Sequence, residues 1–383
     1  MAITKVAVVA SCYFIGGFET KLEALVKNFD PGRIRVFVFW VYPHYKAKRT
    51  PPEIRERHRK LMSWDGIDVE ETVMKTRFDV GVVWRTIRWI RRKRPDVLYF
   101  PALGWGTFIA PVAGRLAKVP FIVRANDTVL DGLYSRSLRF LDRWLIRKTD
   151  AVVVPSRFLE DLMVGALGVD GKKFRVIPNG IDTDRFGRKS DKAALRKELD
   201  LPAGAPVVGM IANFLAVKNH ARLIRAVPEI LARAPRTHFV FIGEGPLKTG
   251  MIELGQRLGI GGRLRFLGFR SDTERIIPLF DVGILCSDVE VHPISLIELM
   301  ASGVPVVAPR VGGIPEIVTH GVDGLLMDRM DPDSMARTVA ALLTDPVLLR
   351  RFGEAARKKV ARRFTRERMI RSTEDLLLNL VGI

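Results

Sequence analysis

Short apolar, β-branched runs alternate with longer helical patterns along the whole chain. They read KVAVVASC, RIRVFVFWV, DVLYFPA, FIVRA, DAVVVPS and FRVIPNG in the first half, then PVVGMIAN, THFVFIGE, LRFLGF, DVGILCSD and PVVAPR in the second. A strand that stays apolar on both of its faces must be covered on both, and strands separated by helices run parallel because the helix carries the chain back to the starting edge. The expectation is an α/β protein of doubly wound parallel sheets, with about six strands on each side of a midpoint. At 383 residues the chain exceeds what one hydrophobic core usually serves. The change of unit falls around Phe186 to Pro206, where GRKSDKAALRKELDLPAGAP reads as a polar linker with one short helix. This gives an N-terminal domain over 1–186, a C-terminal domain over 187–363, and a final amphipathic segment over 364–383 expected to cross back onto the first domain. Ligands of such sheets bind beyond the carboxyl ends of the strands, so two facing sheets would share one cleft.

Hydrophobic residues make up 48% of the chain and charged ones 27%, the balance of a folded globular protein rather than a disordered one. The two cysteines, Cys12 and Cys286, are far apart and have no metal-ligand spacing, and the six histidines form no ligand pair. No disulfide framework or structural metal is expected, which suits a reducing cytoplasm. The apolar run Val6 to Phe18 is preceded by one lysine and leads straight into Gly16-Gly17 and an amphipathic segment, as a first strand and helix would, and not as a secretion signal does. No other segment approaches the ~20 apolar residues of a membrane span. The formal charge of +20 leans towards the N-terminal half and should attract nucleotide phosphates, anionic lipid or nucleic acid.

The most informative segment runs from Ser287 to Pro305, SDVEVHPISLIELMASGVP. A strand ends near Cys286, a loop carries Glu290, and Pro293 stands where a helix start tolerates a missing N–H, with Ile294 and Ser295 in the first turn. That helix start directs unpaired N–H groups and positive dipole beyond the sheet, which suits a diphosphate. Glu290 offers acceptors for sugar hydroxyls and Glu298, further along, for a ribose. A glycosidase pair is disfavoured: retaining enzymes hold their carboxylates ~5–5.5 Å apart, whereas eight helical residues would separate these by roughly 12 Å.

This segment, with its continuation PVVAPRVGGIPEIVTHGVDGLL, closely resembles the retaining family-four glycosyltransferases, the glycogen-synthase-like group 1 enzymes of GT-B fold. The family pattern is a glutamate, seven intervening residues, a second glutamate, a small-residue helix and PVVA; Glu290 and Glu298 match its ends. Gly16-Gly17-Phe18-Glu19, VIPNGIDTDRF from Val176, Lys218-Asn219, FIGEGPLK from Phe241 and LGF from Leu267 follow in the family's order and spacing. The resemblance implies two Rossmann-like domains facing across a cleft. It further implies a cytoplasmic enzyme that moves a hexose-type sugar, with retention, from a UDP- or GDP-sugar to a glycan or lipid-linked acceptor, in cell-envelope polysaccharide or glycolipid synthesis, with no metal or other cofactor. Glu290 and Lys218 are then the catalytic pair, with Lys218 on the donor diphosphate. Gly16, Gly17, Asn213, Gly245, His292, Pro293, Ile294, Ser295 and Glu298 line the donor, and Gly16 and Gly17 bring backbone N–H groups near its phosphates.

Three positions depart from that pattern. Asn213 stands where most relatives carry an arginine on the diphosphate, so either Lys218 works alone or another basic residue such as Arg270 substitutes. Val291-His292 replaces a glycine and a bulky apolar residue, so sugar preference does not carry over; His292 is either a donor contact or a polar neighbour of the helix start. At Arg124-Ala125-Asn126-Asp127 the usual acceptor-facing histidine is missing, leaving Asn126 or Asp127 to meet the acceptor. The family mechanism asks little of a protein base, because the departing phosphate oxygen accepts the acceptor's proton.

Other motifs weigh less. Asp182-Thr183-Asp184 and Asp331-Pro332-Asp333 suggest metal ligation only weakly, since both read as loops. Gly243-Glu244-Gly245 is half of a dinucleotide fingerprint, but Lys248 takes the third glycine's place. Between Arg85 and Arg94 six of ten residues are basic, but Val83, Trp84, Ile87 and Ile90 recur at helical spacing, which makes the basic residues a solvated helix face. Lys46 to Lys60 holds seven basic residues near Trp40, Tyr42 and Tyr45, a candidate for resting on an anionic leaflet at the inner face of the membrane. The competing reading, a non-catalytic basic α/β protein that binds membrane or nucleic acid, would need neither the glutamate pair nor Lys218; nucleic acid is not an expected partner.

Overall fold

The computed structural model describes residues 3–10, 17–43, 67–76, 79–102, 106–127, 136–187 and 191–383. The chain divides into two compact units, Met1–Asn179 with Glu367–Ile383, and Gly180–Arg366. Each is built on one parallel sheet.

In the first unit seven strands run β1 (Thr4–Ala10), β2 (Ile34–Pro43), β3 (Asp68–Met74), β4 (Val97–Pro101), β5 (Phe121–Ala125), β6 (Ala151–Val154) and β7 (Phe174–Val176), in the order β3-β2-β1-β4-β5-β6-β7. Val6 lies opposite Val36 on one neighbour and Val97 on the other. Alternation sends Val6, Val8 and Ala10 into one core and Ala7 and Val9 into the core on the opposite face. That is why β1 reads as an unbroken apolar run. The last helix, Arg366–Val381, contributes Met369, Ile370, Leu377 and Leu378 to the first of these cores.

The second unit orders β8 (Val207–Ile211), β9 (His238–Ile242), β10 (Leu264–Phe266), β11 (Val282–Ile284), β12 (Val306–Pro309) and β13 (Gly324–Met327) as β10-β9-β8-β11-β12-β13. Val306 enters one of its cores and Val307 the other.

Several sequence-based expectations change. The first sheet has a seventh strand, β3, whose DVEETVM is no apolar run: it is an edge strand, and Asp68 and Glu70 pair with Arg92 and Lys93 of the helix Gly81–Lys93. On that helix Trp84 is 64% exposed while Val82, Ile87, Trp89 and Ile90 are buried, so the apolar stripe is rotated away from Trp84. The supposed linker is part of the second unit: Asp191 caps the helix Lys192–Glu198, and Leu195, Leu199 and Leu201 enter its core. Ile181 and Phe186 are buried in the same core, which places the division at Asn179/Gly180, ahead of 186/187. At Gly180 a Cβ would lie 2.2 Å from the Thr365 carbonyl oxygen, so only glycine lets these segments run side by side.

Candidate active site

The second sheet changes winding direction between β8 and β11, which are neighbours although β9 and β10 intervene in the chain. Connections leave to opposite sides at such a point and open a crevice at the strands' carboxyl ends. Lys218 follows β8 and Glu290 follows β11, and the structure brings them together: Lys218 Nζ lies 2.6 Å from Glu290 Oε1. Ser287 Oγ donates to the same oxygen at 2.7 Å. Both donors converge on Oε1, so the second carboxylate oxygen is left without a donor from the described residues. The Glu290 side chain is 8% exposed and that of Lys218 25%, so the ion pair is only partly covered, on the lysine side.

The local chain explains this placement. After β8 a short turn, Ala216–Lys218, ends at Asn219 in a left-handed conformation (φ 52°), which reverses the backbone into the helix His220–Arg233. Asp288 N–H donates to the Val217 carbonyl, and the Asp288 carboxylate receives Asn219 Nδ2 and pairs with Arg222, so the two loops are laced together. Gly313 N–H donates to the Glu290 carbonyl, and Gly312 (φ +56°) approaches so closely that a Cβ would lie 1.9 Å from that oxygen. Gly245 (φ +156°) is held in the same way, with the Phe214 carbonyl oxygen 2.6 Å from where its Cβ would be. Gly243 and Gly245 press the loop after β9 onto the loop after β8, which accounts for the incomplete dinucleotide fingerprint as packing. Beneath them His220 is buried and stacked on Phe214 with centroids 4.0 Å apart. Burial, reinforced by the Lys218 charge and opposed by a backbone hydrogen bond at Ala212, pushes its pKa down to about 4, so it is neutral at pH 7.

The helix Ile294–Ala301 starts after Pro293, with no side-chain cap and no acidic residue in its first turn. Its first N–H groups, at Ile294 and Ser295, therefore keep their capacity for an anion. Further along, Glu298 lies in the field of Arg185 and Glu274. Burial pushes its carboxyl up to about 7, Arg185 pulling it down and Glu274 adding to the rise. Arg185 itself is anchored by Glu274 and the Ser271 carbonyl, both at 2.6 Å.

The other expected donor residues fall as follows. Asn213 is exposed and its side chain makes no hydrogen bond among the described residues. Arg270 is held by Asp272 and Glu198, so it is engaged elsewhere and does not stand free to replace the missing arginine. His292 is buried with its ring edge-on to Phe364 at 5.4 Å, a packed position. Asp182 and Asp331 cap helices by accepting from Arg185 N–H and Ser334 N–H. Among the described residues no group of three or more His, Cys, Asp or Glu is arranged to hold a metal ion, and no helix is long and apolar enough to cross a membrane.

In the first unit Gly17 opens the helix Gly17–Asn28; Gly16, like the Lys46 to Lys60 stretch, lies outside the described residues. Beyond β5, Asn126 is buried and its amide oxygen accepts from Arg124 Nε at 2.6 Å, while the fully buried Arg124 also pairs with Asp142. Asp127 Oδ1 receives Lys21 Nζ at 2.7 Å, with side-chain exposures of 8% and 4%. Its Oδ2 is buried without a hydrogen-bond partner. Of the two acceptor-side candidates, Asp127 keeps an unused acceptor and Asn126 serves the interior.

Ser287, Gly312, Arg185 and Glu274 were not singled out in the sequence. Ser287, three residues ahead of Glu290, the paired glycines in VGGIPE and the VIPNGIDTDRF motif that contains Arg185 were the available signals; nothing local marked Glu274.

Residues 15–185 match the model of Glycosyltransferase Family 4, and residues 191–359 match that of Glycosyl transferases group 1. The N-acetyl-α-D-glucosaminyl L-malate synthase of Bacillus anthracis is 30% identical over 308 residues, covering 79% of this chain and 80% of that one. The GDP-mannose-dependent α-(1-6)-phosphatidylinositol monomannoside mannosyltransferase of Mycolicibacterium smegmatis is 32% identical over 356 residues, 89% of each chain. In fold the chain resembles Anabaena HepE, crystallised with UDP and glucose, with a TM-score of 0.84 at 20% identity over 98% of this chain and 100% of that one.

Proposed function

The chain belongs to glycosyltransferase family 4, with a group 1 module in its second half, and from that premise we propose that the crevice between β8 and β11 holds the diphosphate of the donor sugar nucleotide. The protein is a glycosyltransferase, transferring a sugar from a nucleotide diphosphate to an acceptor. The observation that carries the site assignment is the Lys218–Glu290 pair across the switch point, 2.6 Å apart and only partly covered. Lys218 donates to the diphosphate and stabilises the charge that grows on the departing nucleotide. The N–H groups at Ile294 and Ser295 add to that field. Glu290, steadied by Ser287, keeps one carboxylate oxygen for the hydroxyls of the donor sugar, and Glu298 accepts from the ribose.

Transfer proceeds with retention. The acceptor oxygen attacks the anomeric carbon on the face the phosphate leaves, the carbon–oxygen bond to the phosphate breaks, and the acceptor proton passes to the departing phosphate oxygen. The protein positions and stabilises charge and needs no base of its own. The acceptor is a glycan or lipid-linked sugar met by the first unit, and the donor is a UDP- or GDP-hexose. Relatives acting on a phosphatidylinositol mannoside and on diphosphoundecaprenol-linked sugars support a lipid-linked acceptor in envelope glycan or glycolipid synthesis. The charge of +20 supports a protein that rests peripherally on an anionic membrane. A thermal-shift panel of UDP- and GDP-sugars tests the donor assignment. One of them should stabilise the native protein and lose that effect in Lys218→Ala and Glu298→Ala; stabilisation unchanged in both variants refutes the site.

A further inference from the structure

The helix Arg136–Arg147 turns an unusual face outward. Leu145 and Ile146 are buried beneath it, and its one acidic residue, Asp142, is buried against Arg124. Facing solvent are Phe140, 74% exposed, and Trp144, 45% exposed, one turn apart. Arg139, Arg147 and Lys148 are exposed beside them, with the Lys148 ammonium 5.8 Å from the centre of the Trp144 ring. Among the described residues of this helix, the solvent-facing side is thus an aromatic ridge flanked by cations. Right-handed crossovers from β3 to β4, β4 to β5 and β5 to β6 place this helix on the same face of the sheet as Gly81–Lys93, which exposes Trp84 amid arginines.

We propose that this face docks on an anionic lipid surface, with Phe140 and Trp144 entering the headgroup layer and Arg139, Arg147 and Lys148 meeting lipid phosphates. A convex helix face with aromatic residues at its centre and cations at its margins fits the plane of a membrane interface. A second copy of the chain is disfavoured as occupant, because two such faces would bring like charges together in a protein already at +20. The inference rests on the reading of a membrane-linked acceptor but moves the contact from the Lys46 to Lys60 stretch to this helix, and its test is independent of donor binding.

The test is flotation of the full-length protein with phosphatidylglycerol-containing and pure phosphatidylcholine vesicles, with a UDP- or GDP-induced thermal shift measured on the same preparations. The native protein should float with the anionic vesicles, less so as salt rises, and not with the neutral ones. F140S/W144S should partition at least about tenfold more weakly with its nucleotide-induced shift intact. R139Q/R147Q should lose on the order of tenfold at low salt. Equal flotation of F140S/W144S and native protein overturns the proposal, as does a native protein that responds to nucleotide but ignores anionic vesicles, or one that instead binds an oligonucleotide through these residues. Flotation without any nucleotide response supports the docking face and counts against the donor site.

Discussion

Each unit sets a lysine against a carboxylate beyond the carboxyl ends of its strands, and the two pairs differ in what they leave free. Lys21–Asp127 is sealed, with both side chains under a tenth exposed, whereas Lys218 keeps a quarter of its surface in reach of solvent. A sealed pair orders a loop. A half-open pair can pass its cation to an incoming phosphate while the carboxylate keeps a second donor, here Ser287. The difference separates a structural ion pair from one suited to electrostatic catalysis, although their N–O distances, 2.7 and 2.6 Å, are nearly the same.

Breaking the sealed pair should have the largest effect. Asp127→Ala strands a buried ammonium and should cost about 3–5 kcal/mol of stability, read as a fall in the denaturation midpoint; a midpoint within error of the native protein would mean that Lys21 is not truly enclosed. The half-open pair should respond in the opposite sense. Lys218→Ala should lose stability only on the order of 1 kcal/mol yet lower the transfer rate by about 10²–10³, or roughly 2.7–4 kcal/mol of transition-state stabilisation. Steady-state kinetics beside a melting curve separates the two.

Glu298 sharpens the contrast through pH. Its carboxyl in the folded protein is raised to about 7 from an ordinary 4.5, so its contribution to stability is complete below the unfolded value and is lost as pH climbs through the folded one. The ligand-free protein should weaken by up to about 3 kcal/mol between pH 4.5 and 7 from this group. Nucleotide binding should move the other way, because only the carboxylate accepts from ribose hydroxyls: affinity should rise about tenfold from pH 6 to 8. Glu298→Gln should flatten both profiles, and calorimetry across that range would detect a residual slope. The smallest effect is expected at Arg270, whose partners Asp272 and Glu198 keep it from the diphosphate. Arg270→Gln should change the rate less than about twofold and stability by under about 1 kcal/mol; a loss comparable to that of Lys218→Ala would restore it as the substitute for the missing arginine.

Much of this architecture was legible because buried parallel strands write themselves as apolar runs. The strand β3 escaped, since an edge strand can carry Asp68 and Glu70 where a helix supplies Arg92 and Lys93. The helix Gly81–Lys93 shows a similar limit: Trp84 and Trp89 look alike in a periodic pattern, and only packing decides that Trp89 is the one buried. At the site, Glu290 and Glu298 stood out through their spacing, but the partnership of Glu290 with Lys218 spans 72 residues and rested on family likeness until the fold placed them together. For His292 the sequence left a donor contact and a polar neighbour of the helix start open, and its edge-on contact with the Phe364 ring, distant in sequence, was not legible there. Arg185 lies within the VIPNGIDTDRF motif, but nothing local ties it to Glu298, and Glu274 carries no local signature.

In the proposed site Lys218 holds the donor diphosphate. Calorimetric titration of the native protein and of Lys218→Ala with the matching nucleoside diphosphate and monophosphate addresses it most directly. The native protein should bind the diphosphate more tightly than the monophosphate, and the variant should bind the two almost alike. A diphosphate advantage that persists undiminished without Lys218 would contradict the assignment.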